Sequence, residues 1–201
     1  IKGQKYNRRL LSSMIEKNIR MIDYEVLTNN KRRMIGFGKY AGIVGAYNGF
    51  LCYGLKHNIY RLKPAYSCFD RLEMEKELSN IVLNNEKIII TGKGRVGQGI
   101  MEIINTLSIK EVSKKDFINN NFNEPVCVNL DFTDYYERID GGEFTRSDFL
   151  RNNKKYKSVF MKFAAVGDIF IAGHYYSQNA PFLFTRENAK CSEFNLSVIA
   201  D

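Results

Sequence analysis

The sequence has few of the residues that mark a metal centre. Its four cysteines, Cys52, Cys68, Cys127 and Cys191, lie far apart and form no C-x-x-C pair. Only His57 and His174 could add donors, so the clustered ligand set of a structural zinc site is missing and no metal is expected. Reduced, buried thiols are the better reading of the cysteines. Long apolar runs are absent too: no stretch approaches the roughly 18 residues of a membrane span. No signal peptide opens the chain, and a cytoplasmic location without a membrane partner is the expectation. A sustained basic stripe is the third absence. The net charge is +8, but the cations fall in small groups (Arg8-Arg9, Lys31-Arg32-Arg33, Lys114-Lys115, Lys154-Lys155) without a nucleic-acid-binding motif. Nucleic acid is therefore not an expected partner. A positive field of this size also suits small anions such as a dinucleotide or a dicarboxylate.

What is present is enough apolar material for a folded domain. The 201 residues are 44% hydrophobic and 13% aromatic, which allows one domain, or one domain with a piece of another. The most informative stretch is Lys87 to Leu107, KIIITGKGRVGQGIMEIINTL. Ile88, Ile89, Ile90 and Thr91 read as a buried strand, and Val96, Ile100, Ile103, Ile104 and Leu107 recur at helical spacing. Between them Gly92, Gly94 and Gly97 have the G-x-G-x-x-G spacing of a dinucleotide-binding turn. Gly92 allows the sharp exit from the strand, Gly94 leaves room for a pyrophosphate, and Gly97 lets the helix lie close to the sheet. The helix start then offers unpaired N–H groups and partial positive charge to phosphates. An NTPase phosphate loop is excluded, because Gln98-Gly99 follows Gly97 where Lys and then Ser or Thr are required. On the motif alone, a methyltransferase glycine loop also fits.

The rest of the chain is read around that unit. Tyr6 to Asn18 predicts a short amphipathic helix, and Ile19 to Leu27 and Met34 to Phe37 predict strands separated by a polar turn. Tyr40 to Leu55 is apolar almost all round, and its small residues Gly42, Gly45, Gly49 and Gly54 predict a buried helix approached closely by its neighbours. Asp70 is placed to cap a helix over Arg71 to Val82. Ile109 to Ser113 is a weak second strand, and Pro125 to Leu130, Asp168 to Ala172 and Leu196 to Ala200 are further strands. In an NAD-binding fold an acid about 20 residues after the first glycine accepts the adenosine ribose hydroxyls. Glu111 stands near that distance, while Ser113, Lys114 and Lys115 compete for the strand tip, where lysines would suit a 2′-phosphate. The choice of NAD or NADP stays open, as does a plain surface role for Glu111. Asp131 to Phe160 reads as an insertion with one helix around Tyr156 to Ala165, and a last helix is expected from Thr185. His174 sits at a strand tip, where ligands of open α/β sheets lie, as a contact to cofactor or substrate or as a structural histidine.

Three stretches together, FGKYAGIVGAYNG (Phe37 to Gly49), TGKGRVGQGIMEI (Thr91 to Ile103) and DIFIAGHYYSQNAPFLFTRENA (Asp168 to Ala189), resemble the lysine-forming saccharopine dehydrogenases. The likeness is to bacterial members and to the lysine-ketoglutarate reductase half of the bifunctional plant and animal enzymes, and more distantly to the alanine dehydrogenase and transhydrogenase group. The resemblance implies an α/β enzyme with a Rossmann-like, doubly wound parallel sheet inserted into a second α/β substrate domain. It implies hydride transfer between nicotinamide and saccharopine, or lysine plus 2-oxoglutarate, through an imine that water hydrolyses. By this resemblance Gly92, Gly94, Arg95, Val96 and Gly97 line the pyrophosphate. The family's acid/base Lys and His fall upstream of Ile1, so no catalytic residue is carried over, and the acidic strand-tip residue of yeast-type NAD enzymes has no match.

The expected organisation is a substrate-domain remnant over 1–39, inter-domain helices and linker over 40–83, and a dinucleotide-binding domain over 84–201. The chain opens without methionine and stops just after an apolar run, which reads as a fragment of a longer enzyme, inactive alone. Its expected ligands are NAD or NADP and a small amino-acid or 2-oxo-acid substrate, and an oligomer is compatible with the reading. An alanine dehydrogenase-like enzyme, or a nucleotide-sensing domain without catalysis, are the alternatives.

Overall fold

The computed structural model describes residues 3–176 and 179–201, so Ser177 and Gln178 of the third family-like stretch lie outside the described residues. The chain divides into two compact units, Ile1–Phe37 and Gly38–Asp201. In the first, helix α1 (Arg8–Glu16) follows a 3-10 turn and precedes a hairpin of β1 (Thr28–Asn29) and β2 (Arg32–Arg33). The hairpin turns at Asn30 and Lys31, both with positive φ (49° and 63°), the backbone that matches strand twist in a two-residue turn. This corrects the expected strands at Ile19 to Leu27 and Met34 to Phe37. Tyr24–Val26 is instead a 3-10 turn, with the Asp23 carboxylate accepting the Glu25 N–H at 2.8 Å.

The second unit begins with α2 (Gly38–His57). It buries the face carrying Gly42, Ala46, Gly49 and Phe50 but exposes Tyr40, Val44 and Leu55 and leaves Gly45 without a close neighbour, so the helix is half-buried where a buried one was expected. A short α3 (Arg71–Glu77) is capped by Asp70, which accepts the Glu73 N–H at 2.9 Å. It ends five residues before the expected Val82, loosening into a 3-10 turn at Leu78–Asn80 where Ser79 Oγ donates to the Lys76 carbonyl at 2.8 Å. Then come β3 (Lys87–Thr91), α4 (Arg95–Thr106), β4 (Lys110–Glu111), α5 (Lys114–Asn119) and β5 (Val126–Leu130). The insertion holds α6 (Phe132–Tyr135), β6 (Tyr136–Arg138), α7 (Arg146–Asn152), β7 (Tyr156–Ser158) and α8 (Met161–Ala164). The long helix expected around Tyr156 to Ala165 is therefore a strand and a single helical turn. Tyr156, Lys157 and Ser158 pair with β6 in an antiparallel ribbon, which holds them extended. β8 (Ile169–Ala172) and β9 (Val198–Ala200) complete the sheet. The helix expected from Thr185 shrinks to a 3-10 turn at Asn188–Lys190. Thr185 and Asn188 satisfy each other, Oγ1 accepting from Asn188 N at 3.2 Å and Oδ1 from Thr185 N at 2.9 Å.

The five strands run parallel in the order β4-β5-β3-β8-β9, with helices on both faces. This is a Rossmann-like α/β sheet. Alternation along β3 sends Ile88 and Ile90 into a core shared with α2 and α4, and Ile89 into a second, aromatic core. That second core gathers Phe117 of α5, Phe163 of α8, and Tyr135, Phe149 and Phe160 of the insertion. No helix among the described residues is long and apolar enough to cross a membrane.

Glycine explains how tightly α2 and α4 pack. A β-carbon on Gly42 would lie 1.9 Å from the Val96 carbonyl oxygen, and one on Gly99 would lie 1.9 Å from that of Lys39. The two backbones touch because neither position carries a side chain. α4 is thereby fixed on the sheet, with its N-terminus at the tip of β3.

Candidate functional site

The site grows from the exit of β3. Gly92 adopts φ +90°, a conformation that favours glycine, and the chain turns there into α4. A β-carbon on Gly97 would stand 1.9 Å from the Gly92 carbonyl oxygen, so the turn closes directly on the first coil of the helix. Gly94 differs from both. A β-carbon there would meet nothing within 4 Å, so its missing side chain leaves open space beside the helix start. Gly94 is also the N-cap of α4 and offers no side-chain acceptor to the first N–H groups. A helix start with uncapped donors and an open approach fits an anion.

Gly92, Gly94, Arg95, Val96 and His174 come together around one recess of about 440 Å³. Gly97 and Glu111 lie instead on a second recess of about 380 Å³, beside α4. Lys93 lines both. The separation of Glu111 follows from the sheet order. The strand beside β3 on this flank is β5, and β4 is pushed to the edge. In register, Glu111 lies opposite Cys127, well short of Thr91 and Leu130 at the tips. The acid at the tip beside β3 is Asp131, which lines the first recess with Phe132 and Arg146. Sequence reading passed over these residues. An acid directly after the apolar run PVCVNL is the signal that could have marked Asp131, whereas nothing local marks Arg146.

Asp131 caps α6, its Oδ1 accepting the Phe132 N–H at 2.9 Å, and Asp134 returns the capping box by accepting the Asp131 N–H at 2.8 Å. Lys114 in turn pairs with the buried Asp134. Arg146 opens α7 and holds its guanidinium 5.3 Å from the centre of the Phe132 ring.

On the other flank, Gly173 N donates to the Thr91 carbonyl at 2.8 Å, which ties the tip of β8 to that of β3. His174 follows. Its Nδ1 is 2.7 Å from Thr91 Oγ1, and its ring centre is 5.8 Å from that of Tyr135. Burial holds the imidazole below its ordinary pKa, while the Asp201 carboxylate acts in the opposite direction. His174 also lines a third, mostly apolar recess of about 250 Å³ with Phe170, Ala172, Phe182 and Asp201. The three recesses lie along the carboxyl edge of the sheet and the flank of α4, and the first and third meet at His174.

No protein-family profile matches this chain. Among curated proteins it is similar to the mitochondrial alpha-aminoadipic semialdehyde synthase of Mus musculus, at 25% identity over 218 aligned positions. The enzymes of the same name from Rattus norvegicus and Bos taurus are each 26% identical to it over the same span. Each alignment takes in 94% of this chain and 23% of the relative, so the chain spans about a quarter of the length of the curated relatives it matches.

Proposed function

We propose that this chain is the cofactor-binding part of an NAD(P)-dependent oxidoreductase of lysine metabolism, of the lysine-forming saccharopine dehydrogenase type. The observation that carries the reading is the β3 to α4 turn, in which Gly97 closes on Gly92 while Gly94 opens onto uncapped helix N–H groups. It stands in the middle of a parallel sheet whose order runs to β5 on one side and β8 on the other, the switch point at which such sheets bind dinucleotides. The likeness to alpha-aminoadipic semialdehyde synthases supports the lysine-metabolism half of the reading.

In this reading Gly92, Gly94, Arg95 and Val96 hold the pyrophosphate, Gly97, expected among them, closes the turn beneath it, and the nicotinamide lies on the His174 side. The adenosine lies over the tip of β5. There the Asp131 carboxylate is engaged with its own helix, while Lys93 and Arg146 line the recess. Two cations beside an engaged acid favour a 2′-phosphate, hence NADP(H) over NAD(H). The nicotinamide supplies hydride acceptance or donation. The chain's own residues bind and orient it, and none of them is assigned as the acid or base of the reaction. In this proposal the dinucleotide domain widens from the expected 84–201 to the compact unit Gly38–Asp201, because α2 shares the core of β3 and α4, and the segment before it belongs to a substrate domain.

The test has two parts. Fluorescence titration with NADPH and NADH should show saturable binding, and the full-length protein should reduce NADP or NAD when given saccharopine. Absence of binding by either dinucleotide would overturn the site. Binding accompanied by oxidation of alanine alone would overturn the substrate and leave the cofactor role standing.

A further inference from the structure

His174 is placed differently from a histidine that only fills a core. Its ring stands at the junction of the recess beside the glycine turn and the apolar recess beside β9. The mount is rigid. A β-carbon on Gly92 would come within 2.4 Å of the Gly173 carbonyl oxygen and 2.7 Å of His174 N, so turn and strand tip are in backbone contact. The hydrogen bond to Thr91 fixes the ring from the β3 side, and the Tyr135 ring flanks it from α6. A ligand laid across the tips of β3 and β8 passes this imidazole.

We infer that His174 binds the phosphates of the dinucleotide as an imidazolium, taking up a proton from solvent as the ligand enters. The inference rests on the dinucleotide reading of the site. Without ligand, burial favours the neutral ring, the Asp201 charge opposes this, and Thr91 Oγ1 is paired to Nδ1. The charged and titratable groups lining the first recess are Lys93, Arg95, Arg146, Asp131 and Tyr175, Tyr135 flanks the ring, and Tyr176 and Asp201, the residue after β9, line the apolar recess. A pyrophosphate brings two negative charges into this setting, and an opposite charge within a few ångströms favours the protonated ring. Both ring nitrogens then donate. The Thr91 hydroxyl, which can accept as well as donate, keeps its bond, and the second N–H is left for a phosphate oxygen. Protein, ligand and one proton enter the complex together, and no covalent bond changes.

The consequence is a pH dependence of affinity that belongs to binding rather than to hydride transfer. NADH is the probe, since the 2′-phosphate of NADPH itself titrates near about pH 6. The dissociation constant of NADH is measured between about pH 5.5 and 8, in the range where a histidine titrates. Calorimetry in two buffers of different ionisation enthalpy counts the protons taken up. The expected result is tighter binding at lower pH, up to about ten-fold per unit, with net proton uptake near neutrality. His174→Gln keeps a hydrogen-bonding side chain but cannot charge, so its affinity should be nearly flat with pH and its proton uptake absent. A flat profile with no uptake in the unaltered protein overturns the inference, whatever the variant does. So does an unchanged slope in His174→Gln. If neither NADH nor NADPH binds at any pH, the dinucleotide reading falls and takes the inference with it.

Discussion

The carbonyl oxygen of Gly92 lies 1.9 Å from the point where a β-carbon on Gly97 would stand, whereas the same construction at Gly94 meets no atom within 4 Å. Two glycines of one motif thus have different physical reasons. Gly97→Ala pushes a methyl into backbone that cannot move without opening the β3 to α4 turn, and should cost about 1–3 kcal/mol of stability, the usual range for overpacking. Gly94→Ala should leave stability within about 0.5 kcal/mol, as for an exposed site, while dinucleotide affinity falls sharply. Urea unfolding and NADPH titration on both variants separate these outcomes. Full binding by Gly94→Ala would remove the pyrophosphate from this position.

Arg146 provides the test of cofactor choice. Its guanidinium rests over the Phe132 ring at the edge of the recess, beside the engaged Asp131. Losing a hydrogen bond to a charged group costs about 1.5–3 kcal/mol, so Arg146→Ala should weaken NADPH binding by about ten-fold or more. NADH, without the 2′-phosphate, should respond far less. Equal losses for both dinucleotides would show that Arg146 shapes the recess without reading the ribose.

How much of this was legible in the residues follows from where each signal resides. The glycine turn, helix α2 and strands β3, β5, β8 and β9 are local patterns, and they appear in place, although α2 buries one face only. The close backbone approach at Gly42 was readable as a small residue in an apolar helix, but Gly99 as its counterpart on α4 was not. Strand order was not legible at all. β4 is two residues long, and the neighbour of β3 is decided by how β5 packs, with Ile89 and Val128 meeting in the aromatic core. A rule that counts residues to the second strand therefore led to Glu111, whereas the sheet brings Asp131 beside the turn. The insertion misled for the same reason. Tyr156 to Ser158 are extended because β6 pairs with them, a contact made across the intervening α7.

Tyr135 offers a stability test in the aromatic core. The residue is wholly buried, and its hydroxyl finds no hydrogen-bond partner among the described residues. Leaving a buried hydroxyl unpaired costs about 1–3 kcal/mol, so Tyr135→Phe should be neutral or stabilising by about 1 kcal/mol. The ring contacts with Tyr136, Phe160 and His174 do not require the hydroxyl. Chemical denaturation decides the matter, and a loss of stability beyond about 1 kcal/mol would mean that the oxygen is satisfied in solution.

Asp168 contributes to the acid side of the stability profile from the amino end of the sheet. It precedes β8, and its Oδ2 accepts the Lys87 N–H at 2.8 Å, which ties the starts of β3 and β8 together. Burial raises its carboxyl above the ordinary range and the Glu86 charge adds to this, while the Lys87 N–H, the Asn195 amide and the Lys87 charge pull the other way. A carboxyl with a raised folded-state pKa binds its proton more tightly when folded. The stability it contributes is complete below the unfolded value of about 4, declines as pH rises through the raised value, and is flat above it. Asp168→Asn keeps an oxygen for the Lys87 N–H and removes the titration. The advantage of Asp over Asn should therefore grow as the pH is lowered from about 7 toward 4, read as the difference in urea midpoints at the two ends. A salt-bridged carboxylate would show the reverse, an advantage that shrinks on acidification, and that outcome would mean that charge pairing rather than burial governs Asp168.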